Sequence, residues 1–136
     1  MTPQQNAQIA RRWFEDFWNQ RRLETVYDLF VPECISHMEH GEVSNREEFL
    51  TFQTMFLKAL PDLRVTIEDP VAQGDNVAVR WFFSATHSGD ALGLRATGKP
   101  VRMRGMTWFR LRDGKLVECW YCWNLGALMQ YLSSET

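Results

Sequence analysis

The sequence predicts an α+β domain in which helices come first and cover one face of a mostly antiparallel sheet. Three observations carry this. Up to Pro61, apolar residues recur at helical spacing. From Leu63 onward they alternate, the pattern of half-buried strands. The alternating segments are separated by Gly74-Asp75-Asn76, a Gly-containing loop and Asp113-Gly114, so they read as a meander.

Each element has its own signal. Ile9, Trp13, Phe14, Phe17 and Trp18 form one stripe, which predicts a helix over Pro3–Arg22. Leu23, Val26, Tyr27 and Phe30 predict a second short helix, stopped by Pro32. Cys34–Met38 reads as a short strand or extended loop. Ser44-Asn45-Arg46-Glu47 fits a capping box. The helix after it carries Phe49, Phe52, Phe56 and Leu60 on one face, and Pro61 ends it. Leu63, Val65 and Ile67 then alternate with polar residues. Val77–Ser88, Val101–Leu111 and Lys115–Trp123 are strands, and Leu125–Leu132 is a terminal helix. Gly89–Lys99 is a connecting loop; it lacks the phosphate-binding pattern of glycines followed by Lys-Ser or Lys-Thr.

The chain of 136 residues suits one domain, 1–136, and is 45% hydrophobic, enough to build a core. A net charge of −2 argues against a dedicated nucleic-acid binder. No apolar run is long enough to span a bilayer, and the N-terminus carries no signal-peptide core, so a cytoplasmic protein is expected. The three cysteines, Cys34, Cys119 and Cys122, fit reduced thiols. Cys119 and Cys122 stand at C-x-x-C spacing, but on a strand the odd separation sends them to opposite faces.

Alternation sorts the long strands into two faces. One holds Val77, Val79, Trp81, Phe83, Ala85 and His87, continued by Val101, Met103, Gly105, Thr107 and Phe109, then Cys119, Tyr121 and Trp123. It is apolar with three isolated polar groups, His87, Thr107 and Tyr121, the make-up of a small-molecule pocket. The other face sets Phe82, Met106, Trp108 and Trp120 among arginines, the composition of a protein contact, and predicts a homodimer joined sheet to sheet.

Several segments together resemble the SnoaL-like polyketide cyclases, in the superfamily of ketosteroid isomerase and the nuclear transport factor. They are Arg12-Trp13-Phe14-Glu15-Asp16-Phe17-Trp18-Asn19-Gln20, Leu60 to Asp69, Thr86-His87-Ser88-Gly89, Thr97-Gly98-Lys99 and Asp113 to Glu118. The resemblance implies a cone-shaped fold: a strongly curved sheet wrapped by helices around an internal apolar pocket. It also implies a dimer through the outer face, and cofactor-free ring closure by an intramolecular aldol step. In the family an Asp on the last strand acts as acid/base and a His on the preceding strand assists. Those positions fall here at Tyr121 and Thr107, and a further acidic position falls at Asn124.

The remaining titratable candidates near such a pocket are His37, Glu39, His40 and His87. His37 reads either as a proton shuttle at the pocket mouth or as a histidine satisfied at the core edge. His87 reads as a substrate-orienting group or as an anchor for the Gly89–Lys99 loop. Tyr121 reads as a pocket donor or as a core tyrosine. The catalytic set expected of an enzyme is thus His37, Tyr121 and His87. Trp13, Phe17 and Met55 from the helices are candidates for the pocket wall, as are Trp81, Met103, Thr107, Cys119 and Trp123 from the sheet. No metal and no cofactor is expected.

Three functions follow: a cofactor-free cyclase or isomerase acting on a small apolar carbonyl compound, a non-catalytic small-molecule-binding dimer, or a structural dimer with a filled core. A cavity of roughly 300 Å³ or more, lined by both His37 and Tyr121, would favour the first.

Overall fold

In the computed structural model, which describes residues 1–38, 41 and 43–134, the chain forms four α-helices, one π-helical segment and seven strands. They are α1 (Pro3–Arg12), the π-helical Trp13–Asn19, α2 (Thr25–Leu29), β1 (Phe30–His37), β2 (Val43–Ser44) and α3 (Arg46–Ala59). There follow β3 (Arg64–Ile67), β4 (Val71–Gln73), β5 (Asn76–Thr86), β6 (Pro100–Arg112), β7 (Lys115–Trp123) and α4 (Leu125–Ser133). The strands form one curved sheet in the order β2-β1-β7-β6-β5-β3, with β4 paired to the start of β5. All pairs are antiparallel except β1 with β7. This is the expected α+β architecture.

The first helix differs from expectation in an informative way. It remains α-helical only to Arg12; the next seven residues widen to π-helical spacing. Trp13, Phe14, Phe17 and Trp18 must all reach the core, and all four are buried. The looser winding keeps these four large rings on one side. The segment ends at Arg21, whose φ is +60° and whose guanidinium donates to the carbonyls of Pro61 and Leu63. Burial lowers the pKa of that guanidinium. Just before it, the Asn19 side chain donates to Val65 O at 2.8 Å and accepts from Val65 N at 2.7 Å, so one amide side chain pairs with β3 as a strand would.

Four other expectations are corrected. The second helix covers only Thr25–Leu29; Leu23 and Tyr27 are exposed, and the core takes Val26 and Leu29. Pro32 does not stop that helix but lies inside β1. It falls between the ladder pairs Phe30↔Leu116 and Ile35↔Glu118, where the register shifts and a missing N–H is tolerated. The capping box sits one residue later than Ser44. Asn45 accepts from Glu48 N, and Glu48 accepts from Asn45 N. The short strand β4 carried no alternation signal and was not anticipated; its three residues pair with Asn76–Ala78 across the Gly74-Asp75 turn.

The long strands pair as the two-face reading requires. Thr107 stands between Val79 and Tyr121, and Gly105 between Trp81 and Trp123. The Asp113-Gly114 turn has φ of +51° and +77°, the left-handed pair that a two-residue hairpin demands. Cys119 is buried and Cys122 exposed, on opposite faces of β7. Among the described residues no helix is long and apolar enough to cross a membrane.

Candidate functional site

The inner face of the sheet and the helices line an apolar cavity of about 50 Å³. Its walls are aromatic. Phe14 and Trp18 come from the N-terminal helical segment, Phe49, Phe52 and Phe56 from α3, and Trp81, Phe83, Tyr121 and Trp123 from the sheet. Met38, Leu63 and Val65 complete it. Such a volume holds a few water-sized groups, well below the size at which a drug-like ligand is enclosed.

Two tryptophans explain the small volume. Trp81, Gly105 and Trp123 occupy one row across β5, β6 and β7. With no side chain on the central residue, the indoles on either side meet over it, 6.0 Å apart at 65°. A Cβ on Gly105 would lie 2.5 Å from the Trp81 ring and 2.7 Å from Trp123 Cβ. The Trp81 Nε1–H donates to Thr107 Oγ1 at 2.9 Å, a buried bond. Thr107 therefore holds an indole in place instead of facing the cavity.

Among the described lining residues, Tyr121 alone carries a hydroxyl. Its ring stacks on Phe49, 5.3 Å away. Burial pushes its hydroxyl well above the ordinary tyrosine range; neighbouring Cys119 and Cys34 add to the shift, while Trp13 and Ser36 oppose it. The group is a neutral donor at any physiological pH. The Tyr121 hydroxyl, Trp13 Nε1 and Ser36 Oγ are buried together, and the hydroxyl interacts with both of the other groups. Nearby, the Cys119 thiol is pushed well up by burial and by its contact with Cys34.

The other expected residues stand elsewhere. His37 faces the opposite side of the sheet. Its neighbour Ser36 pairs with Cys119 and points inward, so alternation turns His37 outward. There Nε2 lies 2.6 Å from Glu118 Oε2, and the ring stacks on Trp120 at 5.1 Å. Glu118 also accepts from Arg110 at 2.7 Å. His87 is fully buried but lines no part of the cavity. Its Nδ1 accepts from Thr97 N at 3.2 Å and lies 2.9 Å from Thr97 Oγ1. Its backbone bonds to Lys99 O and Gly98 N, so it ties the far end of the Gly89–Lys99 loop back to β5.

Trp13 and Phe17 are core residues stacked on each other at 4.1 Å, behind the cavity wall. Met55 is exposed on the far side of α3. Met103 is half-buried beside α4, next to Ala127 and Tyr131. Cys119 is buried against Cys34. Asn124 caps α4, accepting from Ala127 N at 2.8 Å. Glu39 and His40 lie outside the described residues. Of the expected set, the cavity gathers Trp81, Tyr121 and Trp123. Ser36 was missed. Alternation along Cys34-Ile35-Ser36-His37 carried the signal, since it sets Cys34 and Ser36 against Ile35 and His37. Among the described lining residues none is Asp, Glu, His, Lys or Arg.

Comparison with known proteins gives the fold its relatives. The chain is similar over its full length to a candidate SnoaL-like polyketide cyclase from Jannaschia sp. CCS1, with 25% identity, a TM-score of 0.90 and 98% of that chain covered. It is similar to IdmH, a candidate polyketide cyclase from Streptomyces antibioticus, at 29% identity and a TM-score of 0.83, covering 96% of this chain and 99% of that one. It is also similar to AclR, a candidate hydroxylase from Streptomyces galilaeus, at 26% identity and a TM-score of 0.86, covering 96% and 82%. No curated protein matches the sequence significantly. The profile of the SnoaL-like polyketide cyclases matches residues 8–132, nearly the whole of the fold described above, and the chain belongs to that family.

Proposed function

We propose that the chain binds a small, largely apolar carbonyl compound in the aromatic cavity and polarises its oxygen with the Tyr121 hydroxyl. The observation that carries this is Tyr121, the hydroxyl-bearing residue among aromatic and aliphatic neighbours on the cavity wall. A neutral phenol donates to a carbonyl oxygen and strengthens that bond as negative charge develops on it. Both aldol cyclisation and isomerisation through an enol pass through such an oxyanion, which fits the family and its cyclase-named relatives. The described lining offers no general base, and in this reading the cavity activates the electrophile only.

A second reading, binding without turnover, draws on that same missing base. One experiment addresses both. Small ketones of increasing size, and alkenes matched to them in shape, are titrated against the wild type and Tyr121→Phe. The variant should lose about fivefold in ketone affinity, the worth of one hydrogen bond of about 1 kcal/mol, and nothing for the alkenes. Equal ketone affinity in both proteins would remove Tyr121 from the proposal. Conversion of a bound ketone by the wild type, lost in the variant, would select the enzyme over the binder.

The partner of the outer sheet face is, in the same proposal, a second copy of this chain. Phe82, Met106, Trp108 and Trp120 are each more than a third exposed on that face. Arg80 and Arg104 stand opposite Met106 and Phe82 in the ladder, and Arg110 opposite Glu118. Aromatic and Met side chains framed by arginines match interface composition. The free state of all three cysteines suits a reducing, cytoplasmic setting.

A further inference from the structure

Of the two tryptophans that restrict the cavity, Trp81 is the one held by a hydrogen bond. Trp81 comes from the middle of β5 and sits over Gly105, whose missing side chain leaves room for the indole. It is not packed there by shape alone. Its Nε1–H is bonded to Thr107, two residues along β6 from Gly105. Its ring meets Trp123 and Phe83, with centroids 6.0 and 6.1 Å away, and those two rings meet each other at 5.8 Å. The arrangement has three separable parts: a seat without a side chain, a tether with one hydrogen bond, and the indole itself.

The remaining volume, about 50 Å³, is smaller than the roughly 150 Å³ apolar cavity known to admit benzene. A ring-sized ligand therefore competes with the indole for the same space. Trp81 and Tyr121 line the same cavity, so a ligand in the place of the indole would share it with the Tyr121 side chain.

We propose that Trp81 is the specificity-determining residue of this cavity: its indole, tethered by Thr107 over Gly105, excludes ring-sized carbonyl compounds, and releasing it admits them. Thr107 acts through Trp81 and is a positioning residue. The inference rests on the cavity reading given under the proposed function, and it adds the residue that sets the size limit.

The test uses acetophenone and 2-acetylnaphthalene as probes, titrated calorimetrically against wild type, Trp81→Ala, Trp81→Phe and Thr107→Val. Near-UV circular dichroism establishes that each variant is folded. Trp81→Ala should bind acetophenone at least tenfold more tightly than wild type. Trp81→Phe, which keeps a ring but drops the tether, should gain a few-fold and serves if the alanine variant does not fold. Thr107→Val leaves the indole in place. It should speed solvent exchange of the Trp81 Nε1 proton, followed by nuclear magnetic resonance, and raise acetophenone affinity to an intermediate value. A merely structural threonine would change stability without moving the size limit.

Wild type binding both probes as tightly as the Trp81 variants would overturn the size limit and leave the cavity reading standing. Folded Trp81 variants that bind neither probe would overturn both. An unchanged size limit in Thr107→Val, with faster Nε1 exchange, would overturn the tether.

Discussion

His37 Nε2 lies 2.6 Å from Glu118 Oε2, and this pair fixes the histidine to the outer face of the sheet. The His37 hydrogen bond, followed by that from Arg110, holds the Glu118 carboxyl below its ordinary value of 4.5. A carboxylate that binds its proton less tightly when folded stabilises the fold above the ordinary value. That stabilisation is lost as pH falls through the lowered folded value. The partners are partly exposed, so the contribution is at most about 1 kcal/mol. Denaturant titrations of wild type and Glu118→Gln should therefore differ at neutral pH and converge in acid below the carboxylate range. A gap that widens on acidification would contradict the assignment.

The same placement predicts what His37 does not do. His37→Ala should leave ligand affinity of the cavity unchanged, because β1 turns the ring to the other face. It should raise the Glu118 pKa, read from carboxyl carbon shifts in a pH series.

Two glycines should respond very differently to alanine. A Cβ on Gly89 would fall 1.7 Å from the Lys58 carbonyl oxygen, backbone against backbone, where no rotamer can yield. Gly93 has φ of +74° but open space around it. Gly89→Ala should cost about 3 kcal/mol or more, whereas Gly93→Ala should cost about 1 kcal/mol, the conformational penalty alone. Equal unfolding midpoints for the two variants would refute the close approach of the loop to α3.

Gln53 is fully buried on α3, and neither its Nε2 nor its Oε1 has a partner. Replacing an unsatisfied amide by an apolar group of similar shape removes a desolvation cost. Gln53→Met should gain about 1–2 kcal/mol in urea unfolding. A loss of stability would mean that the amide is satisfied in solution.

For the outer face, sedimentation of the wild type should give a mass of two chains at micromolar concentration. Trp108→Glu should give one, since the residue is half exposed at the centre of the face. A wild-type mass of one chain would end the dimer proposal.

Much of this fold was legible in the residues because the physics is local. Alternation placed Trp81, Thr107 and Tyr121 on one face, and the ladder pairs Val79↔Thr107↔Tyr121 agree with it, with a one-residue register shift between Arg110 and Leu111 that the hairpin signal did not carry. Strand β7 has the expected bounds. What was not legible depends on through-space competition. That Trp81 would take the Thr107 hydroxyl is set by an empty Gly105 seat on the neighbouring strand. The outward turn of His37 depends on the parallel register of β1 against β7, strands far apart in sequence. The widened helix at Trp13–Asn19 answers a demand for burial that no single-residue propensity carries.

The parallel pairing of β1 with β7 also orders the making of the molecule. The first long strand to emerge in synthesis waits for the last one to form its principal ladder. Until then its edge is open to any neighbouring chain, and the gap at Pro32 interrupts that edge. A ribosome-bound intermediate ending before Lys115 would thus carry the aromatic helices without the strand that closes the sheet beneath them. It would be the species most in need of a chaperone.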